Sequence, residues 1–400
     1  MQKNRLKIAI VDHSPDLGGA EVTLLTLLKN IDRSRFDATV ILPSRGAFSE
    51  ALERIHIPVL IIPLPMRLIR LKRGRAFHSF LVLCASFFFL QFFFLRLCLY
   101  LRRNRVHLVL TNTIKAHLYG SLAARLWSIP LVWRFHDILE PSDFSPLLIR
   151  FVAFFGRLFP KKILAVSGVT QCYLVKSGVH SPKTEVIFNA IDPDLFEKEG
   201  DGKDIRAEYG LGDGVKLVGC VGRIIPQKGQ RVLLAAIPQV VERYPDTFFL
   251  IVGDIFLNED AYRKELLETI KKNGIEERVG LTGFRRDIRN VMATLDMVVF
   301  PSVAPEAFPL SVLEAMSLGK SVISSDTGGV REMIEDGVSG FLVEPNRPEQ
   351  IAERIIYLLQ RQDIAHGIGK NAKERVAQEF SLRNFVTSME RACSTAVVKE

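Results

Sequence analysis

Two carboxylates stand out in the run PEAFPLSVLEAMSLG. Glu306 follows a short apolar, strand-like run at 297–302, and Glu314 comes after seven intervening residues, inside a helix-like run. Phe308, Pro309 and Leu310 place a turn between them, before a helix starting near residue 311. The amides of a first helical turn have no partners within the helix, so together with Ala307 this turn can meet phosphate or sugar oxygens. Carboxylates on either side of it can accept hydrogen bonds, Glu306 from sugar hydroxyls and Glu314 from a ribose diol. Upstream, Arg223 and Lys228 follow the apolar run KLVGCVG and precede the helix-like GQRVLLAAI. Two cations beside a helix start suit a diphosphate, because the helix end carries partial positive charge and the side chains add charge-assisted bonds. Each pair also has an ordinary reading. The cations fit a solvated surface, and the glutamates fit a helix start, where the dipole favours acids.

The elements that must carry these residues are legible as periodic runs. Strand-length apolar runs recur at 7–12, 37–42, 58–62, 107–112, 130–135, 162–167 and 185–189, mostly separated by helix-length segments. A second series follows at 216–222, 247–253, 278–284, 297–301, 321–325 and 340–344. Wholly apolar strands alternating with helices predict parallel sheets covered on both faces. The polar, Gly- and Asp-rich stretch 196–214 reads as a linker. The expected architecture is α/β, with two doubly wound Rossmann-like domains facing a central cleft and ligands outside the carboxyl ends of the strands. Expected boundaries are 1–190, 191–378 and a final helical segment, 379–400.

Four hundred residues suit about two domains. Apolar content of 48% and charged content of 24% describe a folded globular chain. The five cysteines are scattered, without a zinc-type pair or a disulfide framework. The N-terminal MQKNRLKIAIVDHSPD reads as a first strand rather than a signal peptide. Net charge is +9 and unevenly placed: residues 1–180 carry 25 Lys and Arg against 10 Asp and Glu, and the remainder carries 28 against 34. The first half therefore expects an acidic partner. Within it MRLIRLKRGR leads into AFHSFLVLCASFFFLQFFFLRLCLYLRR, and FSPLLIRFVAFFGRLFPKK again mixes Phe and Leu with cations and no acid. Three readings compete for 80–101: spanning, buried in the core, or lying at an interface. Strand-like runs on both sides (58–65 and 107–113) must share one side of any membrane, which disfavours a single crossing. The reading carried forward is peripheral binding of an anionic membrane surface through 66–103 and 144–162. No nucleic-acid motif accompanies the basic segments.

The constellation VGRIIPQKG followed by PEAFPLSVLEAMSLGKSVISSDTGGVREMIEDGVSGFLVEP resembles the retaining glycosyltransferases of the family 4 type, with the GT-B fold. The resemblance covers most of 190–345 and is looser before it. It implies that Glu306 and Glu314 are the family's E-x7-E pair, and that Arg223 and Lys228 bind the donor phosphates. HSPDLGGAE is similar to the family's glycine-rich loop, so Gly18 and Gly19 are implied neighbours of the donor. RFHD implies His136 as the active-site histidine, and ILAVSGVT places Ser167 at a familiar strand end. The base is implied near 282–285, bringing in Phe284 and Arg285, and the C-terminal helix is implied to cross back to the first domain. Two departures blur local loops: Ala190 stands where glycine is usual, and IVGDIF lacks the common G-x-G-P turn.

The function so implied is transfer of a sugar from a nucleotide-diphosphate sugar, with retention, to a lipid-linked saccharide or glycolipid at the inner face of the cell membrane. Surface polysaccharide or lipopolysaccharide synthesis is the expected context. Arg223 and Lys228 take the place of a metal, His136 steadies the sugar, and no cofactor is expected. The D-x-D of IDPDLF (Asp192, Asp194) is a metal–diphosphate signature of another fold, and it falls in the hinge. No carboxylate pair of the glycosidase kind is evident. Two alternatives are a same-fold nucleotide-sugar epimerase or hydrolase, and a silent nucleotide-sugar-binding membrane protein. The basic, apolar first half argues against the former. The intact cations and glutamates argue against the latter.

Overall fold

The computed structural model describes residues 5–65, 80–192, 205–255 and 260–398. The chain divides into two compact units, Met1–Asn189 with Leu382–Glu400, and Ala190–Ser381. The divide therefore falls one residue before the expected first boundary and three after the second. The second shift arises because a helix runs on to Glu379 and the next begins only at Leu382.

The first unit runs β1 (Leu6–Val11), α1 (Gly19–Asn30), β2 (Phe36–Leu42), α2 (Ala47–Arg54), β3 (Val59–Ile61), α3 (Phe80–Arg103), β4 (Leu108–Thr111), α4 (Ile114–Leu126), β5 (Leu131–Phe135), α5 (Pro146–Leu158), β6 (Lys162–Ala165), α6 (Gly168–Lys176) and β7 (Thr184–Val186). Its seven strands lie in the order β3-β2-β1-β4-β5-β6-β7, all parallel. The second unit runs α7 (Ile205–Glu208), β8 (Lys216–Val221), α8 (Gln230–Arg243), β9 (Thr247–Val252), α9 (Asp260–Lys272), β10 (Val279–Gly283), α10 (Ile288–Thr294), β11 (Met297–Phe300), α11 (Leu310–Ser317), β12 (Ser321–Ser325), α12 (Val330–Met333), β13 (Phe341–Val343), α13 (Pro348–Gln360) and α14 (Gln362–Glu379). Its six parallel strands lie in the order β10-β9-β8-β11-β12-β13. Strands β4, β5, β9, β11 and β12 are buried at every residue, which is why they read as largely apolar runs, with Arg134 in β5 and the serines of β12 among the buried polar exceptions.

In both sheets the strand order reverses beside the first strand, between β1 and β4 and between β8 and β11. Chain leaving the carboxyl ends of these pairs diverges to opposite faces and opens a crevice there. Residues 12–18 and 112 follow the first pair, and 222–228 and 301–306 follow the second.

The last helix, α15 (Leu382–Val397), belongs to the first unit. Phe385, Met389, Ala392, Cys393 and Ala396 are its buried face. Glu390 accepts a hydrogen bond from the Asp32 amide at 2.8 Å, and Arg391 donates to Glu185 at 2.9 Å.

Helix α3 is not buried all round. Phe93, Leu97 and Leu101 recur every four residues and are wholly covered, and Phe93 meets Tyr119 edge-on at 4.8 Å. The Trp127 indole donates to the Cys98 carbonyl. Phe88, Leu95 and Leu99 face outward, Phe88 at 68% exposure. Helix α5 repeats the arrangement: Val152, Ala153 and Gly156 are buried, while Leu147, Phe151, Phe154 and Leu158 are exposed. Among the described residues no helix is long and apolar enough to cross a membrane. Residues 66–79 of the basic stretch lie outside the described residues.

Candidate active site

In the second unit Lys228 meets Glu306 on the loops that follow β8 and β11, with Arg223 on the first of these loops and Glu314 on the helix that follows the second. Strand β8 delivers Arg223, and a single 3-10 turn, Pro226–Lys228, presents the lysine. The turn closes on Gly229, at φ 68°, where a Cβ would lie 1.9 Å from the Pro301 carbonyl oxygen; only glycine allows the two loops to approach so closely. Lys228 Nζ donates to both oxygens of Glu306, at 2.7 and 2.6 Å, and Ser302 Oγ donates to the same carboxylate. Glu306 is thus held on both sides and its partner cation is spoken for in the resting protein. The Glu306 carbonyl accepts from the Gly329 amide at 2.7 Å, and the positive-φ Gly328 packs against that same backbone.

Pro309 caps α11, with Leu310 as its first residue. The Phe308 ring turns inward, 5% exposed, and stacks edge-on with Phe380 at 5.4 Å. It therefore anchors the turn against α14 and the chain after it. Glu314 follows one helical turn in. Burial pushes its carboxyl up to about 7, partly offset by the positive charge of Arg289. Its carboxylate makes no protein hydrogen bond among the described residues, so both oxygens remain available as acceptors for a diol.

Phe284 and Arg285 follow β10 and behave differently from each other. Phe284 is 69% exposed, with its ring face open. Arg285 is closed off. Its Nε and Nη2 donate to both oxygens of Asp287 at 2.8 and 2.7 Å, and Nη1 donates to Glu208 at 2.7 Å. These acceptors hold the guanidinium charged, well above its usual range. The fork pins the loop that carries Phe284. Nothing in the sequence marked Glu208, 77 residues earlier, as the partner.

Gly18, Gly19 and His136 lie in the first unit. Gly18 precedes α1 and its amide donates to Glu21 Oε2 at 2.9 Å, while Gly19 opens the helix. His136 directly follows β5. Its Nε2 lies 2.9 Å from Asn112 Oδ1, and Asn112 Nδ2 donates to Asp12 Oδ2 at 2.8 Å. Burial, then Arg134 and His117, keep the His136 imidazole well below its usual range and hence neutral. Asp12 is fully buried and Glu21 nearly so. Burial pushes Asp12 up to about 6, while bonds from Ser14, Asn112 and His13 oppose the rise. Glu21 goes higher, to about 8, because burial is joined by the charge of Asp12. Neither acid was singled out in the sequence, although Asp12 ends a strand and Glu21 stands three residues after Gly18. Ser167 is buried and caps α6, accepting from the Thr170 amide.

Arg134 is buried at 2% exposure. It donates to Asn189 Oδ1 at 2.7 Å, and its guanidinium lies 5.7 Å from the Phe385 ring of α15; burial pulls it down to about 9. It fastens both ends of the first unit, at the residue where the chain leaves and on the helix with which it returns. His117, stacked on Trp133 at 4.6 Å and bonded to Thr111, is a core residue. Asp192 is buried in the hinge segment, and Asp194 lies outside the described residues.

Two family descriptions match the chain in tandem, "Glycosyltransferase Family 4" over residues 17–195 and "Glycosyl transferases group 1" over 201–375. Among solved structures, Anabaena HepE in complex with UDP superposes with a TM-score of 0.83 at 31% identity, covering 97% of this chain and 100% of that one. The HepE complex with UDP-glucose gives 0.82 at 30%, covering 97% and 99%. The Escherichia coli UDP-Gal:alpha-D-GlcNAc-diphosphoundecaprenol alpha-1,3-galactosyltransferase is 24% identical over 391 residues, 95% of this chain and 94% of that protein.

Proposed function

This chain belongs to the family 4 glycosyltransferases, a retaining family with the GT-B fold, and from that premise we propose that it moves a hexose from a UDP-sugar to a hydroxyl of a lipid-linked saccharide or glycolipid at the inner face of the cell membrane. The observation that carries the reading is the ion pair of Lys228 with Glu306 after β8 and β11, on loops that also carry Arg223 and lead into α11, the helix of Glu314. UDP as carrier is supported by HepE, solved with UDP and UDP-glucose, and by the UDP-Gal-dependent E. coli relative. The exposed Phe284 ring offers a stacking face to a base.

The chemistry follows from these side chains. The bond between C1 of the sugar and the β-phosphate oxygen breaks, and C1 bonds to the acceptor oxygen on the same face. The acceptor's proton passes to the departing phosphate oxygen. Arg223, Lys228 and the helix amides stabilise the charge that gathers on UDP. Lys228 must release Glu306 to do so, which frees that carboxylate to accept from sugar hydroxyls. Binding thus exchanges an internal ion pair for two contacts to the donor.

A nucleotide-sugar panel read by thermal shift tests the donor: UDP-hexoses should raise Tm markedly and GDP- or CMP-sugars should not. Transfer to a diphosphoundecaprenol-linked sugar should proceed unchanged with excess EDTA. Arrest by EDTA would contradict the metal-free leaving-group account, and epimerisation or hydrolysis without transfer would establish the alternative chemistry.

The lipid side of the reading rests on the outward faces of α3 and α5, with α4 packed between them. Leu95, Leu99, Leu122, Leu126, Phe151 and Phe154 are exposed there, interspersed with exposed Arg96, Arg125, Arg150 and Arg157. Each buried aromatic contributes roughly 1.5–3 kcal/mol to partitioning, and each cation near an anionic surface about 1 kcal/mol. Phe151→Asp/Phe154→Asp should therefore reduce flotation with phosphatidylglycerol vesicles by more than about tenfold, with Tm unchanged. Equal flotation of both proteins would remove this face from the account.

A further inference from the structure

We infer that Asn112 and Asp12 are positioning residues for His136, fixing its ring in the Nε2–H tautomer so that Nδ1 serves as a hydrogen-bond acceptor toward a substrate hydroxyl. The inference starts from the Asn112 amide, which is not free to flip. Its Nδ2 donates both to Asp12 Oδ2 at 2.8 Å and to the Ala20 carbonyl at 3.3 Å. The Ala20 carbonyl can only accept, so the group facing it must be the NH2. The remaining atom, Oδ1, is then the one 2.9 Å from His136 Nε2. An amide oxygen can only accept, so Nε2 must carry the hydrogen.

In a neutral imidazole this leaves Nδ1 with a lone pair and no proton. Burial and the neighbouring Arg134 and His117 keep the ring neutral. The titratable and charged groups around it are Arg134 on the same strand, His117 on α4, Asp12 and His13 after β1, Glu21 on α1 and Asp137 next in the chain. His136 is partly exposed, so a ligand can reach the ring. This assigns it a different task from steadying a positive charge or donating to phosphate. It reads a hydroxyl by accepting its hydrogen, which favours a sugar presenting an OH at that position over a deoxy analogue.

The relay spans three chain segments, the ends of β1, β4 and β5, which are neighbours in the sheet order. Asp12 is itself locked by the Ser14 amide at 3.0 Å. Loss of Asp12 would leave only the longer 3.3 Å bond to the Ala20 carbonyl to hold the Asn112 amide, so its orientation, and with it the tautomer of His136, would no longer be fixed.

The inference rests on the transferase reading for the identity of the hydroxyl but not for the tautomer, and the two separate in one experiment. Nitrogen-15 NMR of histidine-labelled protein reports the tautomer directly. The wild type should show Nε2–H at His136, without titration between pH 6 and 8. Asn112→Ala and Asp12→Ala should lose the fixed tautomer and lower kcat about 10- to 100-fold with KM for the UDP-sugar within about threefold. Asp12→Asn, whose one oxygen cannot accept from both the Ser14 amide and Asn112 Nδ2, should likewise lose the fixed tautomer and the rate. An Nδ1–H tautomer, a His136 that titrates near neutrality, or an Asp12→Ala protein of unchanged rate would overturn the inference. A fixed Nε2–H tautomer in a protein that transfers no sugar from any UDP donor would leave the relay intact and overturn the transferase reading instead.

Discussion

Lys228→Ala is expected to lower kcat about 10³-fold at saturating UDP-sugar, with a change in Tm of only a few degrees. Removing one preorganised donor from developing negative charge typically costs 10²–10³ in rate, about 3–4 kcal/mol, and Lys228 is the cation presented by the turn that β8 feeds. The stability effect is small because the Lys228 and Glu306 side chains retain 22% and 18% exposure, so water can replace the lost partner. Glu306→Ala should also lose most activity, for a second reason: Lys228 then lacks its resting partner and the sugar lacks an acceptor. Because the two residues act as a unit, the double variant should be scarcely worse than either single one. Additive losses, or a Lys228→Ala enzyme retaining more than a tenth of its rate, would show that this pair is not where charge develops.

The second large effect concerns stability. Glu21→Gln should raise stability at pH 9 by on the order of 3 kcal/mol and leave it nearly unchanged at pH 4. Burial and the charge of Asp12 push the Glu21 carboxyl from 4.5 up to about 8. A raised acid holds its proton longer when folded than when unfolded. Its contribution is therefore fully present below pH 4.5 and is lost as pH rises through about 8. Asp12, raised from 3.8 to about 6, adds the same sign over a lower window. His117 and His136 act oppositely, because burial lowers both: the stability of their neutral folded forms grows as pH rises toward the unfolded value of 6.5. The difference between wild type and Glu21→Gln isolates the acid from these histidines. Gln keeps an oxygen for the Gly18 amide, so the helix start survives. Denaturant titrations at pH 4, 7 and 9 measure the effect, and a pH-independent difference would mean that Glu21 is ionised in the folded protein.

The two acids also explain why the glycine-rich loop was only partly legible. GGAE suggested a donor-facing turn, and the turn is there at the head of α1. What the sequence did not announce is that Glu21 is turned inward, to the Gly18 amide. Arg285 teaches the same lesson in the second unit. Its place after β10 was clear from the apolar run before it, but its commitment to Asp287 and Glu208 depends on a short helix, α7, inside the stretch 196–214 that reads as a linker.

The strands, their parallel arrangement and the two-domain division are legible in the sequence, and so are Lys228 and Glu306, which the structure pairs. These are local properties: a strand covered on both faces is mostly apolar, and Lys228 and Glu306 sit on two loops, each short enough to read as one motif. Only the tertiary structure decided what each polar side chain holds. Asp12, Asn112 and His136 are about a hundred residues and then two dozen apart in the chain, and become a relay because β1, β4 and β5 are adjacent strands. Arg134 finds Asn189 and Phe385 because the chain leaves the first unit and returns to it. Hydrogen bonds are short-ranged and directional, so which partner a group finds is fixed by strand order and by the return of the last helix, not by its neighbours in sequence.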